Sequence, residues 1–279
     1  MPGKILVVGA TGTVGTPLVA ELLSHGEKVK GGSRSASSHL PDGVEGVRID
    51  LSDPSTVEAA LKDVDRVYVM EPSGTADTFA VLAPVIEAAG RHGAKVVLQS
   101  AMGVDADDNI PLRQVELLLE KTGIPYVILR PNWFVDNFAS YWADCVSKGE
   151  VRLPAGEGKT SFIDARDVAA AAAAALTSNA YDGQAFVLTG REAHNYGEAL
   201  ALLSESLGRK VSYHPVDVPT FIRESIAGGL PQEYAEAVAG IFHTVAEGWA
   251  ADVTNGVELL TGRPPRSLKS AIQDLVAKL

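Results

Sequence analysis

The chain has 279 residues, of which 46% are hydrophobic and 21% charged. That composition is ordinary for a globular protein of one large or two small domains and excludes disorder over most of the length. Its 24 basic and 35 acidic residues sum to −11, which argues against holding nucleic acid by bulk charge. A single cysteine, Cys145, excludes an internal disulfide framework and a cysteine-built metal site. The apolar run near the N-terminus is short and broken by glycine, so it reads as neither signal peptide nor membrane span; a cytoplasmic protein is expected.

Strand-like and helix-like segments alternate through the first half. Lys4–Val8 is a short apolar run ending at Gly9, and Val14–Ser24 has helical spacing through Val14, Leu18 and Leu22. Strands are predicted at Lys28–Lys30, Val44–Ile49, Arg66–Met70, Lys95–Leu98 and Tyr126–Leu129. Between them lie helices at Ser55–Leu61, with Asp53 as N-cap and Pro54 at its first position, at Ala76–His92, closed by Gly93, and at Leu112–Lys121, closed by Gly123. Six short apolar strands separated by helices predict an α/β fold, a doubly wound, mostly parallel Rossmann sheet. In the second half, Trp133–Lys148 reads as one helix. Val151–Leu153, Ser161–Ile163 and Ala185–Leu188 are strand candidates, and the seven alanines of Ala169–Ala175 make a helix packed tightly on the sheet. The expected division is a dinucleotide-binding domain over residues 1–150. Residues 151–279 then return partly to the sheet and otherwise form a smaller, α-rich substrate lobe.

The strongest chemical signal is Gly9-Ala10-Thr11-Gly12-Thr13-Val14-Gly15, between a predicted strand and a predicted helix. Gly9 permits the tight turn, Gly12 admits a pyrophosphate to the backbone, and Gly15 lets the helix lie close to the sheet. The amides and positive dipole end of the helix N-terminus suit phosphate. A glycine-rich turn with no ligand is the alternative. After the second strand, Ser33-Arg34 stands where an NAD-specific site carries an acid. Arg34 can fork onto a 2′-phosphate and Ser33 can donate to it, so NADP(H) is preferred, with NAD(H) possible. The alternative for Arg34 is a solvated surface charge. Asp50 follows the third strand, near the adenine edge or merely in a turn. Glu71-Pro72-Ser73-Gly74 and Ser100-Ala101-Met102-Gly103 follow the fourth and fifth strands, where open α/β sheets bind ligands. Expected cofactor contacts also include Thr11, Thr13, Val14, Leu51, Ala101 and Pro131.

GATGTVG at Gly9–Gly15, IDLSDP at Ile49–Pro54, QSAMGVD at Gln99–Asp105, GIPYVILRPNWFVDNF at Gly123–Phe138 and FIDARDVA at Phe162–Ala169 together resemble the NmrA-like group of atypical short-chain dehydrogenases/reductases. The C-terminal LTGREAHNYGEALALLSESLGR and LTGRPPRS resemble the same group, so the likeness spans essentially the whole chain. The resemblance implies NADPH-dependent reduction of quinones, azo dyes or triphenylmethane dyes, or else a cofactor-binding redox sensor without turnover. Ordinary short-chain reductases use a YxxxK pair as general acid. No tyrosine here has lysine four positions on; Tyr126 has Arg130 on the sixth strand. Ser100 matches the family serine and is the one catalytic candidate. Isoflavone-type relatives carry a catalytic lysine at the position of Leu112, and leucine cannot move a proton. An epimerase or dehydratase would need the missing tyrosine.

Asn132, Trp133, Phe134, Asn137 and Phe138 follow the sixth strand; with Met102 and Leu112 they are expected to line a slot for a flat apolar substrate. Packing at a lobe junction is the alternative. Asp164 and Asp167 around Arg166 read as a helix cap and salt-bridged turn. His25, His39, His92, His194, His214 and His243 show no metal-ligand spacing, and Cys145 reads as an inert buried thiol. The expected function is NAD(P)H-dependent reduction of a small aromatic or conjugated acceptor by a monomer or homodimer, with neither nucleic acid nor membrane as partner.

Overall fold

A computed structural model describes residues 3–35, 40–72, 74–75 and 77–277. His39, Ser73 and Ala76 lie outside the described residues. Elements in chain order begin with β1 (Lys4–Val8), α1 (Gly15–Ser24), β2 (Val29–Ser33), β3 (Glu45–Arg48), α2 (Pro54–Leu61), β4 (Val64–Met70), α3 (Thr78–His92), β5 (Lys95–Gln99), α4 (Pro111–Lys121) and β6 (Tyr126–Pro131). There follow α5 (Ala143–Lys148), β7 (Glu150–Leu153), β8 (Lys159–Thr160), α6 (Ala165–Thr177), β9 (Gln184–Leu188), β10 (His194–Asn195), α7 (Tyr196–Leu207) and β11 (Ser212–Pro215). The chain closes with α8 (Val218–Ala227), α9 (Gln232–Ala246), α10 (Gly256–Thr261) and α11 (Leu268–Val276).

The chain divides into two compact units. The first comprises residues 1–131, 165–188 and 256–263. It is built on a seven-stranded sheet in the order β3-β2-β1-β4-β5-β6-β9, with every pairing parallel. α1 packs on α6 and α6 on α10, while α2 packs on α3 and α3 on α4, which gives the two covering layers. The alanine run explains the close packing of α6: Ala169 to Ala173 and Ala175 are all buried. Asp53 caps α2 by accepting from the Ser55 amide at 3.0 Å, and Gly93 closes α3 at φ +65°. The strand order reverses between β1 and β4, so the crevice for a ligand lies outside the carboxyl ends of those strands.

The second unit comprises residues 132–164, 189–255 and 264–279. It is mainly helical, with two short ribbons, β10 antiparallel to β8 and β11 parallel to β7. Its core is aromatic: Trp133 stacks on Phe242 at 5.0 Å between centroids, and Phe138, Trp142, Phe162 and Tyr196 pack around them.

The first compact unit runs to Pro131, beyond which Val135, Phe138, Trp142 and Val146 bury themselves in the second unit's own core. Two expectations need correction. Trp133–Lys148 is not one helix. A 3₁₀ turn over Val135–Ala139 is followed by a break at Ser140 (φ −125°, ψ −83°), and α5 starts only at Ala143. The break lets the Trp142 amide donate to the Asn137 carbonyl at 2.8 Å. Ser161–Ile163 forms no ladder strand; Ile163 makes a lone bridge to Phe134. Ala185–Leu188 becomes β9, the seventh strand of the main sheet.

Candidate cofactor site

In the first unit the chain leaves β1 at Gly9, whose φ of +72° opens the turn. The amides of Gly9 and Ala10 both donate to the Gly32 carbonyl, at 3.0 and 3.1 Å, and the Gly12 amide donates back to Gly9 at 2.9 Å. The turn is thereby fixed to β2 with few donors consumed. Val14 caps α1 without a side-chain hydrogen bond, and the amides of Thr11, Thr13 and Val14 make no hydrogen bond with a described residue. A helix N-terminus with unpartnered donors is a phosphate cradle. A Cβ built on Gly15 would stand 2.0 Å from the Gly9 carbonyl oxygen, so only glycine allows α1 this close to β1. A Cβ on Gly12 would meet the same oxygen at 3.1 Å and project from an exposed position of the turn.

At the carboxyl end of β2, the Ser33 hydroxyl is buried with no hydrogen-bond partner among the described residues. Arg34 follows it, exposed. Arg48, also exposed, is paired with Ser33 in the β2–β3 register. Neither guanidinium forms an ion pair with a described residue, yet both act on Asp50. Two open guanidiniums beside an orphaned hydroxyl fit a phosphate monoester. Sequence reading missed Arg48, because only strand register brings it opposite Ser33. Asp50 itself accepts from the Ser52 hydroxyl at 2.6 Å and the Ser52 amide at 3.1 Å, building the turn into α2; those two bonds hold its carboxyl below the usual range. Leu51 is buried in the core beneath.

Glu71 and Pro72 follow β4, half-buried. Burial pushes the Glu71 carboxyl up, partly offset by the hydrogen bond that Thr78 donates from the first turn of α3. The Pro131 carbonyl accepts from the Met102 amide at 3.0 Å, and Ala101 and Met102 are half-buried. Leu112, where the resemblance places a lysine, packs against the apolar core that contains Val115 and Leu119.

Ser100 donates its hydroxyl proton to Glu116 Oε1 at 2.5 Å. Glu116 is fully buried and also accepts from Arg130 Nε at 3.0 Å, Arg130 Nη2 at 2.7 Å and Arg113 Nη1 at 2.8 Å. Arg130 reaches Asp105 as well, and Arg113 pairs with Asp108 and Glu120. Desolvation would raise the Glu116 carboxyl, but the bonds from Arg130, Ser100 and Arg113 outweigh it and hold it below the ordinary range. Sequence reading missed this cluster. Its one legible trace is Arg130 in the otherwise apolar strand YVILRP, a cation that must find a carboxylate.

In the second unit Asn132 is buried, and its amide is fully occupied. Nδ2 donates to Ser161 Oγ and to the Ala250 carbonyl, both at 2.8 Å, and Oδ1 accepts from the Trp133 amide at 2.9 Å. Phe138 is 1% exposed in the aromatic core. Both side chains are thus held by the second unit's own packing and hydrogen bonds. Trp133, Phe134 and Asn137 remain half-buried, and the Asn137 side chain makes no hydrogen bond with a described residue. Among the described residues no group of three or more His, Cys, Asp or Glu could hold a metal ion, and no helix is long and apolar enough to cross a membrane.

A sequence profile of the NmrA-like family matches residues 1–270. The chain belongs to the NmrA-like family. This NmrA-like chain is 33% identical over 271 residues to the NAD(P)H azoreductase of Xenophilus azovorans, covering 94% of both chains. It is 32% identical over 269 residues, 95% of both, to the (4-alkanoyl-5-oxo-2,5-dihydrofuran-3-yl)methyl phosphate reductase of Streptomyces griseus. In fold it matches Citrobacter sp. triphenylmethane reductase complexed with NADP(H), with a TM-score of 0.81 at 24% identity over 98% of this chain and 99% of that one.

Proposed function

We propose that this chain is an NAD(P)H-dependent oxidoreductase, with NADP(H) preferred, that reduces a small, flat, electrophilic aromatic or conjugated acceptor such as a quinone or azo compound. The observation that carries the reading is the uncapped start of α1: three unpartnered amides over a glycine turn at the reversal point of the sheet. Arg34, Arg48 and the orphaned Ser33 hydroxyl support the preference for a cofactor with a 2′-phosphate. The azoreductase of Xenophilus azovorans and the phosphate reductase of Streptomyces griseus, both above 30% identity, are named for reductase activity, which supports an enzyme over a catalytically silent sensor.

When bound, the reduced nicotinamide supplies the hydride. The chain's own contribution is positional. Thr11, Thr13 and Val14 offer amides to the pyrophosphate, and Arg34 and Arg48 offer charge to the 2′-phosphate. Leu112 has no proton to give, and the Ser100 proton is held by Glu116. An acceptor whose reduced form takes its proton from water, as a quinone does, fits these residues best. The test is NADPH consumption by the purified protein against a panel of quinones, azo dyes and enones. Turnover with quinones or azo dyes is expected. Tight NADPH binding with no turnover across the panel would move the assignment to the sensor.

A further inference from the structure

Ser100 follows β5 and Arg130 lies in β6, side by side at the carboxyl ends of two central strands, and the Ser100 amide donates to the Leu129 carbonyl at 2.7 Å. Ser100 is only 5% exposed, so its hydroxyl has little freedom to turn away from Glu116. A serine hydroxyl carries one proton and two lone pairs. The proton is committed to a carboxylate that receives three further hydrogen bonds from two guanidiniums. Reversing that bond would require a protonated Glu116 facing two arginines, which their charge opposes. Arg113, one position past Leu112, cannot take over a proton-handling role, since it is tied to Asp108, Glu116 and Glu120.

From this geometry we infer that Glu116 is a positioning residue that turns the Ser100 hydroxyl into an obligate hydrogen-bond acceptor, so that Ser100 fixes an N–H or O–H donor of the bound cofactor or acceptor and supplies no proton to the reaction. The inference rests on the reductase reading for its setting but names residues and a polarity that the reading does not require. The shared ligand chemistry is a neutral donor: a carboxamide N–H on the cofactor, or a hydroxyl forming on the reduced acceptor.

Four variants of the full chain test it: Ser100→Ala, Ser100→Thr, Glu116→Asp and the double variant Ser100→Ala/Glu116→Asp. Glu116→Asp keeps a negative charge among Arg130 and Arg113 but draws the carboxylate back by one methylene from Ser100 and from the arginines alike, so its unfolding midpoint is measured beside the ligand readouts. The readouts are the NADPH dissociation constant by calorimetry, kcat and KM with a quinone, and the kcat–pH profile. Ser100→Ala is expected to weaken NADPH about tenfold if the donor belongs to the cofactor, or to cost about tenfold in kcat/KM for the quinone if it belongs to the acceptor. Ser100→Thr should restore most of the loss. Glu116→Asp should reproduce it, and in the ligand readouts the double variant should be no worse than Ser100→Ala, because Glu116 reaches the ligand only through that hydroxyl. The kcat–pH profile of Ser100→Ala should keep its position. Should Glu116→Asp not fold, the Ser100→Ala and Ser100→Thr pair carries the test through the NADPH dissociation constant, the quinone kcat/KM and the position of the kcat–pH profile. Multiplying losses in the double variant, a displaced pH profile in Ser100→Ala, or no effect of Ser100→Ala on either ligand would each overturn the inference. Absence of any NADPH consumption by the wild type would remove the reductase reading alone, and the coupling measured in NADPH affinity would then decide this one.

Discussion

The carbonyl oxygen of Gly9 stands 2.0 Å from where a Cβ on Gly15 would lie. That distance fixes how near α1 comes to β1, and with it where the unpartnered amides at the start of α1 sit. Two glycines of one motif therefore have separable roles. Gly15→Ala must push helix from strand and is expected to destabilise the fold by about 1–3 kcal/mol, read as a lower midpoint in thermal or denaturant unfolding. Gly12→Val has only the 3.1 Å contact to accommodate. It should keep its circular dichroism spectrum and lose NADPH binding, because the branched side chain fills the space over the amides. A folded Gly12→Val protein that still enhances NADPH fluorescence contradicts the phosphate-cradle assignment.

Arg34→Ala and Arg48→Ala should discriminate between cofactors. Each removes a charge-assisted contact available only to a 2′-phosphate, worth about 1.5–3 kcal/mol, or roughly 10- to 150-fold in affinity. Calorimetry should show the loss for NADPH and little change for NADH. Equal loss for both cofactors would overturn the 2′-phosphate assignment, and no loss for either would return Arg34 to the role of surface charge.

Glu116 predicts a specific acid limb in the stability curve. Its carboxyl is held below the usual value in the folded chain, so the unfolded chain binds its proton more readily. The stabilisation is therefore complete above the ordinary glutamate pKa and is lost as pH falls through the lower folded value. Glu116→Gln leaves Arg130 and Arg113 without their buried carboxylate and should cost about 3–5 kcal/mol at neutral pH. It should also flatten the fall of melting temperature below about pH 5, where the ordinary glutamate range begins. A wild-type acid limb that persists unchanged in the variant would show that other carboxylates set it.

Asn132 and Asn137 separate scaffold from surface within the second unit. Asn132→Ala leaves the Ala250 carbonyl, the Ser161 hydroxyl and the Trp133 amide short of a partner, and should destabilise by about 2–4 kcal/mol. Asn137→Ala removes an amide with no described partner, so its melting temperature should stay within about 1 °C-equivalent of a surface substitution, about 0.5 kcal/mol. A change in quinone KM on Asn137→Ala with NADPH affinity unaltered would place that side chain at the acceptor.

The amino-acid sequence by itself determined the α/β class, the six sheet strands of the first half and a strand at Ala185–Leu188, the caps at Asp53 and Gly93, and the glycine turn at the head of α1. Each is a local consequence of a short stretch: apolar runs bounded by turns, a side-chain oxygen before a helix, a residue that tolerates positive φ. Tertiary structure decided what depends on residues far apart in the chain. The Trp133–Lys148 stretch has helical composition but breaks at Ser140, because its aromatic side chains meet Phe242 and Tyr196 from distant segments. Arg48 meets Ser33 only through the β2–β3 register. Glu116, which helical periodicity alone would put among ordinary α4 side chains, is buried against the serine that follows β5 and an arginine from β6. A buried charge is stable only where partners converge from separate strands and helices, and no local pattern records that convergence.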